Sequence, residues 1–556
     1  MRRSDMARRR SPLPFLIAIA AVIVIVGAAV LLFEKASTNS REMDAESYYG
    51  LTSAEQAALV INDTILEKKG IVRDGAIYID YPTVWNNLNS NFYWEADTKQ
   101  MLLTLPEGTV SWKVGEGDDS LIEIDGVPYL SAACIQANSD IDMSILTNPH
   151  RIIARTSWNN LTAEKVIAET AVRNRADKKG EILTHVKPGD VVVLVENAGN
   201  WCKVATSDGF IGYLQRSEFE AAPEGAISHV SDEKFVFQHI LRDVKVCMGW
   251  QYMESKEDRE LQALITRTNG MNTISPTWFR FISNTGDLES LATSEYVELA
   301  HAQGLQVWGC LQDVFGSSYN AGEVLTTYEA RAHVIKQLMD AADLSGMDGI
   351  NIDIETIEQN TAPQYLQFLR ELSVAAHEKG LIVSTDTYVP IYTQYYNRKE
   401  QARTVDYIVL MGYDEHTVGS SEAGSVASLP FVEQGILDAL EEVPAEQLVN
   451  GIPFYTRGWT TVYGEGRPQS QAFGMNDADA WADAHGISLY WDSEVGQNVG
   501  SSEDGNARYS IWMEDEKSIE EKMKLIERYN LAGVACWRLG LERSGVWNII
   551  SKYVQS

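Results

Sequence analysis

The sequence predicts an α/β fold: a (β/α)8 TIM barrel preceded by two small β-rich domains and an N-terminal transmembrane helix. Three observations predict it. Apolar strand-like runs alternate with helix-like runs from about residue 233 to the C-terminus. Shorter alternating runs, punctuated by turn signals, fill residues 60–160 and 164–222. An apolar stretch from Leu13 to Phe33 follows five arginines at the N-terminus.

With 556 residues the chain is too long for one core. It carries 46 Lys and Arg against 78 Asp and Glu, a formal net charge of −32. Such a field repels phosphate, which argues against a nucleic-acid partner. Cys134, Cys202, Cys247, Cys310 and Cys536 show no C-x-x-C spacing. Three of them sit in apolar strand-like runs, where a thiol acts as a small hydrophobe. The nine histidines are scattered without H-x-x-H or H-E-x-x-H spacing. Neither a metal site nor a cofactor is expected.

The elements follow in chain order. Residues 1–34 read as a basic cytoplasmic tail and a membrane anchor, since about 20 apolar residues cross a bilayer. Arginines on the N-terminal side predict a single pass through the cell membrane, with the N-terminus cytoplasmic and the remainder extracellular. The rival, a cleaved signal peptide, has a shorter apolar region and an A-x-A-like site. Residues 35–59 are polar and read as a tether. Residues 60–160 form a small β-rich module with a faint internal echo, "DGAIYID" at 74–80 and "DGVPYLS" at 125–131. In residues 164–222, "VVVLVE", "NWCKVAT", the turn "SDG" and "FIGYL" describe a small β-barrel. Its Trp201 and Tyr213 are either core or a groove for peptide or glycan. "EAAPEGAISH" is a linker.

Residues 233–556 contain eight candidate strands: "VKVCMGWQYM", "MNTISPTWFRFI", "LQVWGCLQDV", "GINIDIE", "LIVSTDTYVP", "VDYIVLMGYD", "LVNGIPFY" and "GVACWRLG". Helix-like runs such as "EARAHVIKQLMDAADLSG" separate most of them, the pattern of a closed parallel barrel. An aromatic-rich polar stretch, about 460–508, is inserted between the seventh and eighth strands.

The fourth strand carries the chemistry. Asn351, Asp353 and Glu355 alternate with Ile350, Ile352 and Ile354. A strand has a side-chain period of two, so the polar set shares one face. Lining that face with two carboxylates and an amide is costly unless the face is functional. In a parallel barrel the reactive ends are the carboxyl ends of strands, where Glu355 lies. A glutamate there, desolvated beside another carboxylate, has the raised proton affinity a general acid requires. A metal site or an internal salt-bridge ladder is the bland alternative. Trp250, Trp278 and Tyr388 also fall near strand ends, as sugar-stacking surfaces or as core.

These residues carry a resemblance. "DGINIDIE" resembles the D-G-x-D-x-D-x-E signature of family 18 glycoside hydrolases, the chitinase-like family. "MGYD" at 411–414 is similar to that family's M-x-Y-D strand, and Trp537 in "GVACWRLG" to the tryptophan on its last strand. The wording "NIDIE" with a final "WRLG" is most similar to the bacterial branch acting on cell-wall and spore-cortex glycans, N-acetylglucosaminidases among them. The resemblance implies a substrate-assisted retaining mechanism. It makes Glu355 the proton donor, Asp353 the residue that orients the substrate acetamide, and Tyr413 the holder of its carbonyl. Asp414 would support that pocket, Trp537 would floor it, and Met411 would pack beside the tryptophan. Asn351 departs from the family's aspartate. An amide there is expected to donate to Asp353 and, by removing one charge, to let Asp353 stay ionised to lower pH than in relatives with three aspartates. In front of the barrel, residues 164–222 resemble a bacterial Src-homology-3-like domain. Residues 60–160 resemble the small module named after the N-terminal domain of copper amine oxidases.

The expected function is a membrane-anchored extracellular hydrolase of β-1,4-linked N-acetylglucosamine glycans. Peptidoglycan is the first substrate, with the front modules engaging the wall. The alternatives are a hydrolase of chitin oligomers and a non-catalytic, lectin-like wall protein.

Overall fold

Strand–helix alternation closes into a barrel. In the computed structural model the eight strands are Val246–Gln251 (β1), Thr273–Pro276 (β2), Gln306–Asp313 (β3), Gly349–Ile354 (β4), Ile382–Tyr388 (β5), Tyr407–Met411 (β6), Leu448–Pro453 (β7) and Gly533–Trp537 (β8). Each pairs in parallel with the next, and β8 returns to β1. The structure describes residues 19, 21–28, 30, 38–117, 119–256, 261–313, 318–464 and 466–554.

Local chemistry sets the crossovers. The helix leading into β4, Tyr328–Ser345 (α1), starts on Thr327, whose side chain accepts the Ala330 N–H. It stops at Gly346, whose φ of 76° is a left-handed conformation that glycine adopts without cost. The next residues then run straight into the strand. Ile350, Ile352 and Ile354 pack outward with the helix layer. Inside the barrel, Trp308 and Tyr407 stack at 5.6 Å and 24° beside Val246, Ile382 and Val449. This apolar plug fills the lower barrel.

The insertion is a five-stranded antiparallel sheet with one helix, Met475–Ala484 (α2). It runs from Tyr455 to Met513, wider than the expected 460–508, because Tyr455–Val462 pairs with Ala507–Met513. Below it, Lys522 Nζ meets Glu514 Oε1 at 3.0 Å with both side chains fully buried.

The chain divides into two compact units, Met1–Trp94 with Trp112–Asp232, and Glu95–Ser111 with Glu233–Ser556. The barrel unit therefore includes a segment from far upstream. Arg331 on α1 donates to Glu95 at 2.8 Å and to Glu371 at 2.9 Å, and Gln367 donates to Thr104 at 2.9 Å.

In the other unit the sequence echo is a structural repeat. Each Asp-Gly pair, Asp74–Gly75 and Asp125–Gly126, takes positive φ at both residues, the hairpin turn that matches strand twist. Each following strand ends on a helix cap: Asp80 accepts the Thr83 N–H, and Ser131 accepts the Cys134 N–H. The two strands pair with each other. The later sheet, from Ala163–Val166 to Phe219–Ala221, has Cys202, Val204 and Leu214 in its core. Trp201 and Tyr213 lie outside that core and are half-buried on adjacent strands. All five cysteines are buried.

Two expectations are corrected. Residues 38–59 are not a tether: helix Ala45–Tyr49 and strand Gln56–Ile61 are ordered elements, Tyr49 is 2% exposed, and Tyr48 donates to the Ile211 carbonyl at 2.9 Å. A paired strand and buried aromatics override the polar composition that suggested a linker. The single-pass membrane protein is overturned too, because no helix among the described residues is long and apolar enough to cross a membrane. Most of the Leu13–Phe33 stretch lies outside the described residues.

Candidate active site

At the carboxyl end of the barrel the polar faces of β4 and β5 meet. Asn351 and Asp353 point inward from β4, and Ser384, Asp386 and Tyr388 from β5. Glu355 follows the last residue of β4, and its N–H donates to the Asp313 carbonyl at 2.9 Å, extending the ladder by one residue. Its Oε2 accepts from the Tyr388 hydroxyl at 2.7 Å. Burial raises the Glu355 pKa, the Tyr388 hydrogen bond opposes this, and the charges of Asp414 and Asp313 raise it further.

Asn351 is a four-way junction. Its Oδ1 accepts from Trp250 Nε1 at 2.9 Å and from Ser275 at 3.2 Å. Its Nδ2 donates to Ser384 at 3.0 Å and to Asp386 Oδ1 at 2.7 Å. The expected donation to Asp353 is not formed; the amide serves the neighbouring strand. Asp386 thus restores beside Asp353 the negative charge that the amide removed.

Asp353 is 5% exposed, and its Oδ1 has no hydrogen-bond partner. Asp386 is 2% exposed with Oδ2 in the same state. Burial pushes both carboxyls well above the usual range, and for Asp353 the charges of Asp386, Glu355 and Asp313 add to it.

Strand β6 contributes Met411, which pairs with Tyr388 on β5, and then Tyr413 and Asp414. Tyr413 is 6% exposed, and its ring meets Tyr455 edge-on at 6.3 Å. Burial and the field of Asp353 hold its phenol protonated. Asp414 takes a positive φ of 62° and accepts from the Tyr455 hydroxyl. Trp537, half-buried at the end of β8, meets Trp250 at 5.7 Å in a T-shaped contact. Asp414 and Trp537 border a cavity of about 370 Å³ with Tyr455, Arg457, Phe473 and Arg538.

Two expected stacking surfaces are not surfaces. Trp250 is 1% exposed and ties the barrel interior to Asn351. Trp278 is 0% exposed, packed 5.1 Å from Tyr296. Trp250 belongs to the inner cluster with Trp308 and Tyr407, whereas Trp278 packs in the outer layer between strands and helices. Tyr388 stands at the rim, but as the partner of Glu355.

Four residues escaped the sequence reading: Asp386, Asp313, Arg457 and Arg538. Asp386 had a signal, since Ser384, Asp386 and Tyr388 alternate in "STDTY" as the β4 stripe does. Arg457 lies within the first strand of the insertion and Arg538 follows the end of β8, and neither had a signal.

Residues 315–542 match the family "Glycosyl hydrolases family 18", and residues 167–220 match "Bacterial SH3 domain". Neither match extends over residues 60–160, so the amine-oxidase-like resemblance there has no support from them. The chain is 29% identical over 240 residues to the cortical fragment-lytic enzyme of Bacillus subtilis (strain 168), which covers 41% of this chain and 55% of that protein. It thus spans about half the length of that relative. It is 24% identical over 295 residues to the uncharacterized glycosylase YvbX of the same organism, covering 51% of this chain and 84% of that one. The crystal structure of the Bacillus cereus spore cortex-lytic enzyme SleL aligns with a TM-score of 0.50 at 19% identity, over 59% of this chain and 78% of that one. At that identity the likeness is one of fold.

Proposed function

The chain carries a glycosyl hydrolases family 18 domain, and from this premise we propose that it hydrolyses β-1,4-linked N-acetylglucosamine glycans, peptidoglycan foremost. The observation that carries the reading is the paired geometry of β4 and β5: a glutamate of raised proton affinity at the rim, with a buried, incompletely hydrogen-bonded aspartate two residues behind it.

Glu355 gives its proton to the glycosidic oxygen. The substrate's own 2-acetamido carbonyl oxygen attacks the anomeric carbon as the leaving group departs, forming a cyclic oxazolinium ion. Asp353, whose Oδ1 has no protein partner, accepts the acetamide N–H and stabilises the positive charge that develops. Tyr413, kept protonated, donates to the acetamido carbonyl oxygen. Trp537 is the floor under the sugar. Glu355, now a carboxylate, takes a proton from water as water opens the oxazolinium ion with retention. Asp386 and Asn351 act through Asp353 and are positioning residues.

We read the half-buried Trp201 and Tyr213 of the bacterial SH3 domain as a second surface for a wall polymer, a reading that favours peptidoglycan as the substrate. The test compares Glu355→Gln with the parent on purified wall and on chitin oligomers, counting released reducing ends. Loss of release on both, with oligomer binding retained, is expected. Undiminished release by the variant overturns the reading.

A further inference from the structure

The cavity beside Trp537 carries two guanidinium groups that bond cleavage does not use. Arg457 and Arg538 line it together with Asp414, Tyr455 and Phe473. Neither takes part in an ion pair among the described residues. Arg457 Nε is buried without a hydrogen-bond partner, and Nη1 makes a long 3.5 Å contact with Ser470. Arg538 lies over the Tyr252 ring, 5.2 Å from its centroid, a cation–π contact that consumes no N–H donor. Other arginines buried in the barrel unit are matched: Arg331 to Glu95 and Glu371, and Arg370 to Glu400. In a chain of net charge −32, carboxylates to match the cavity pair are not scarce. The pair is left open where a sugar would lie.

We propose that this cavity receives a carboxylate borne by the glycan, with Arg538 as its main ligand and Arg457 in support. The proposal rests on the glycan-hydrolase reading and narrows its substrate class to amino-sugar polymers bearing an acid substituent. A guanidinium offers parallel N–H groups in the spacing of a carboxylate, and the pairing is charge-assisted. A neutral N-acetylglucosamine polymer presents only hydroxyls and amides there. Asp414 opposes an incoming anion weakly: burial raises its carboxyl above the usual range against the lowering by the Tyr455 hydroxyl and the Arg457 charge, which leaves Arg538 as the less compensated of the two guanidinium groups. The cavity is large enough for a substituent beside a ring bound over Trp537.

The experiment uses the full chain and three probes: a wall oligosaccharide stripped of peptide, with its lactyl carboxylates free; the same oligosaccharide with those groups converted to methylamides; and a neutral chitin oligomer of equal length. Carboxylate-to-methylamide kcat/KM is measured for the parent, Arg538→Gln and Arg538→Lys, with thermal midpoints as a folding control. The parent is expected to favour the free acid by about tenfold. Arg538→Gln brings the ratio near one, and Arg538→Lys restores part of it. Equal rates on acid and methylamide in the parent, or an unchanged ratio in Arg538→Gln, overturn the proposal. Should the parent cleave none of the three, calorimetric binding of the same probes decides. Tighter binding of the acid upholds the anion site while sinking the hydrolase reading, and equal binding sinks both.

Discussion

The Tyr388 hydroxyl donates to Glu355 Oε2 at 2.7 Å, joining the end of β5 to the end of β4. This bond orients the proposed proton donor and also lowers its pKa against the upward push of burial. Tyr388→Phe removes both effects. The carboxyl then holds its proton to higher pH, so the alkaline limb of the kcat/KM profile moves upward. At neutral pH the less firmly oriented acid lowers kcat, by about tenfold. A pH–rate series on one oligomer checks both effects, and an alkaline limb moving downward refutes the assignment.

Asp386→Asn keeps the oxygen that accepts from Asn351 and deletes a buried charge. Asp386 and Asp353 both have folded-state pKa values raised above their unfolded values. The folded chain therefore binds more protons than the unfolded chain above the ordinary carboxylate range, and stability falls as pH rises through that window. The substitution is expected to raise the thermal midpoint at neutral pH and to leave it unchanged in acid below that range. Asp353, freed of a like charge, ionises at lower pH, so the acidic limb of the activity profile moves down. Calorimetry at two pH values and the rate profile test the two halves separately.

Asn351→Asp breaks the junction from the other side. It removes the donors to Ser384 and Asp386 and sets a third carboxyl against two that already resist ionisation. Destabilisation of about 3 kcal/mol at neutral pH is expected, shrinking in acid as the carboxyls protonate. Urea unfolding across pH measures it.

Lys522→Met tests a separate buried charge. Lys522 and Glu514 have fully buried side chains 3.0 Å apart, and Gln497 and Ser518 also donate to Glu514. Removing the ammonium leaves a carboxyl without its counter-ion, a change that costs about 3–5 kcal/mol in such settings. The measurement is the urea midpoint of the full chain. The double variant Lys522→Met with Glu514→Gln should recover much of the loss.

Trp278→Phe separates core from subsite. With Trp278 at 0% exposure, the change should cost stability, about 1–3 kcal/mol, and leave KM within twofold of the parent. A large rise in KM at unchanged stability would restore it as a sugar-stacking surface.

What the sequence disclosed follows from periodicity. Eight apolar runs with helical spacers specify a parallel barrel because both faces of each strand are covered, and the Asn351–Asp353–Glu355 stripe stands out against that apolar background. Asp386 lay in an equally periodic stretch, but a single acid between threonines reads as ordinary until the strands are laid side by side. Trp250 and Trp278 misled because a strand end in sequence is not yet a rim in space. Depth in the barrel depends on stagger, which no single strand encodes. The arginine pair brings together the loop after β8 and the first strand of the insertion, a juxtaposition made only by closure. The segment 38–59 was misread for a related reason: its polar composition conceals Tyr48 and Tyr49, and their burial depends on partners more than 150 residues downstream, at Phe210 and Ile211.

The Arg331 cluster has a bearing on how such a chain is inherited. Glu95 and Thr104 sit upstream of the whole SH3 domain, yet they satisfy Arg331 and Gln367 in the barrel unit. A recombination event that moved residues 233–556 alone would strand a guanidinium with one of its carboxylates gone. A barrel moved with residues 95–111 keeps both partners, and the middle domain is tied in its turn to the upstream segment through Tyr48 and Tyr49.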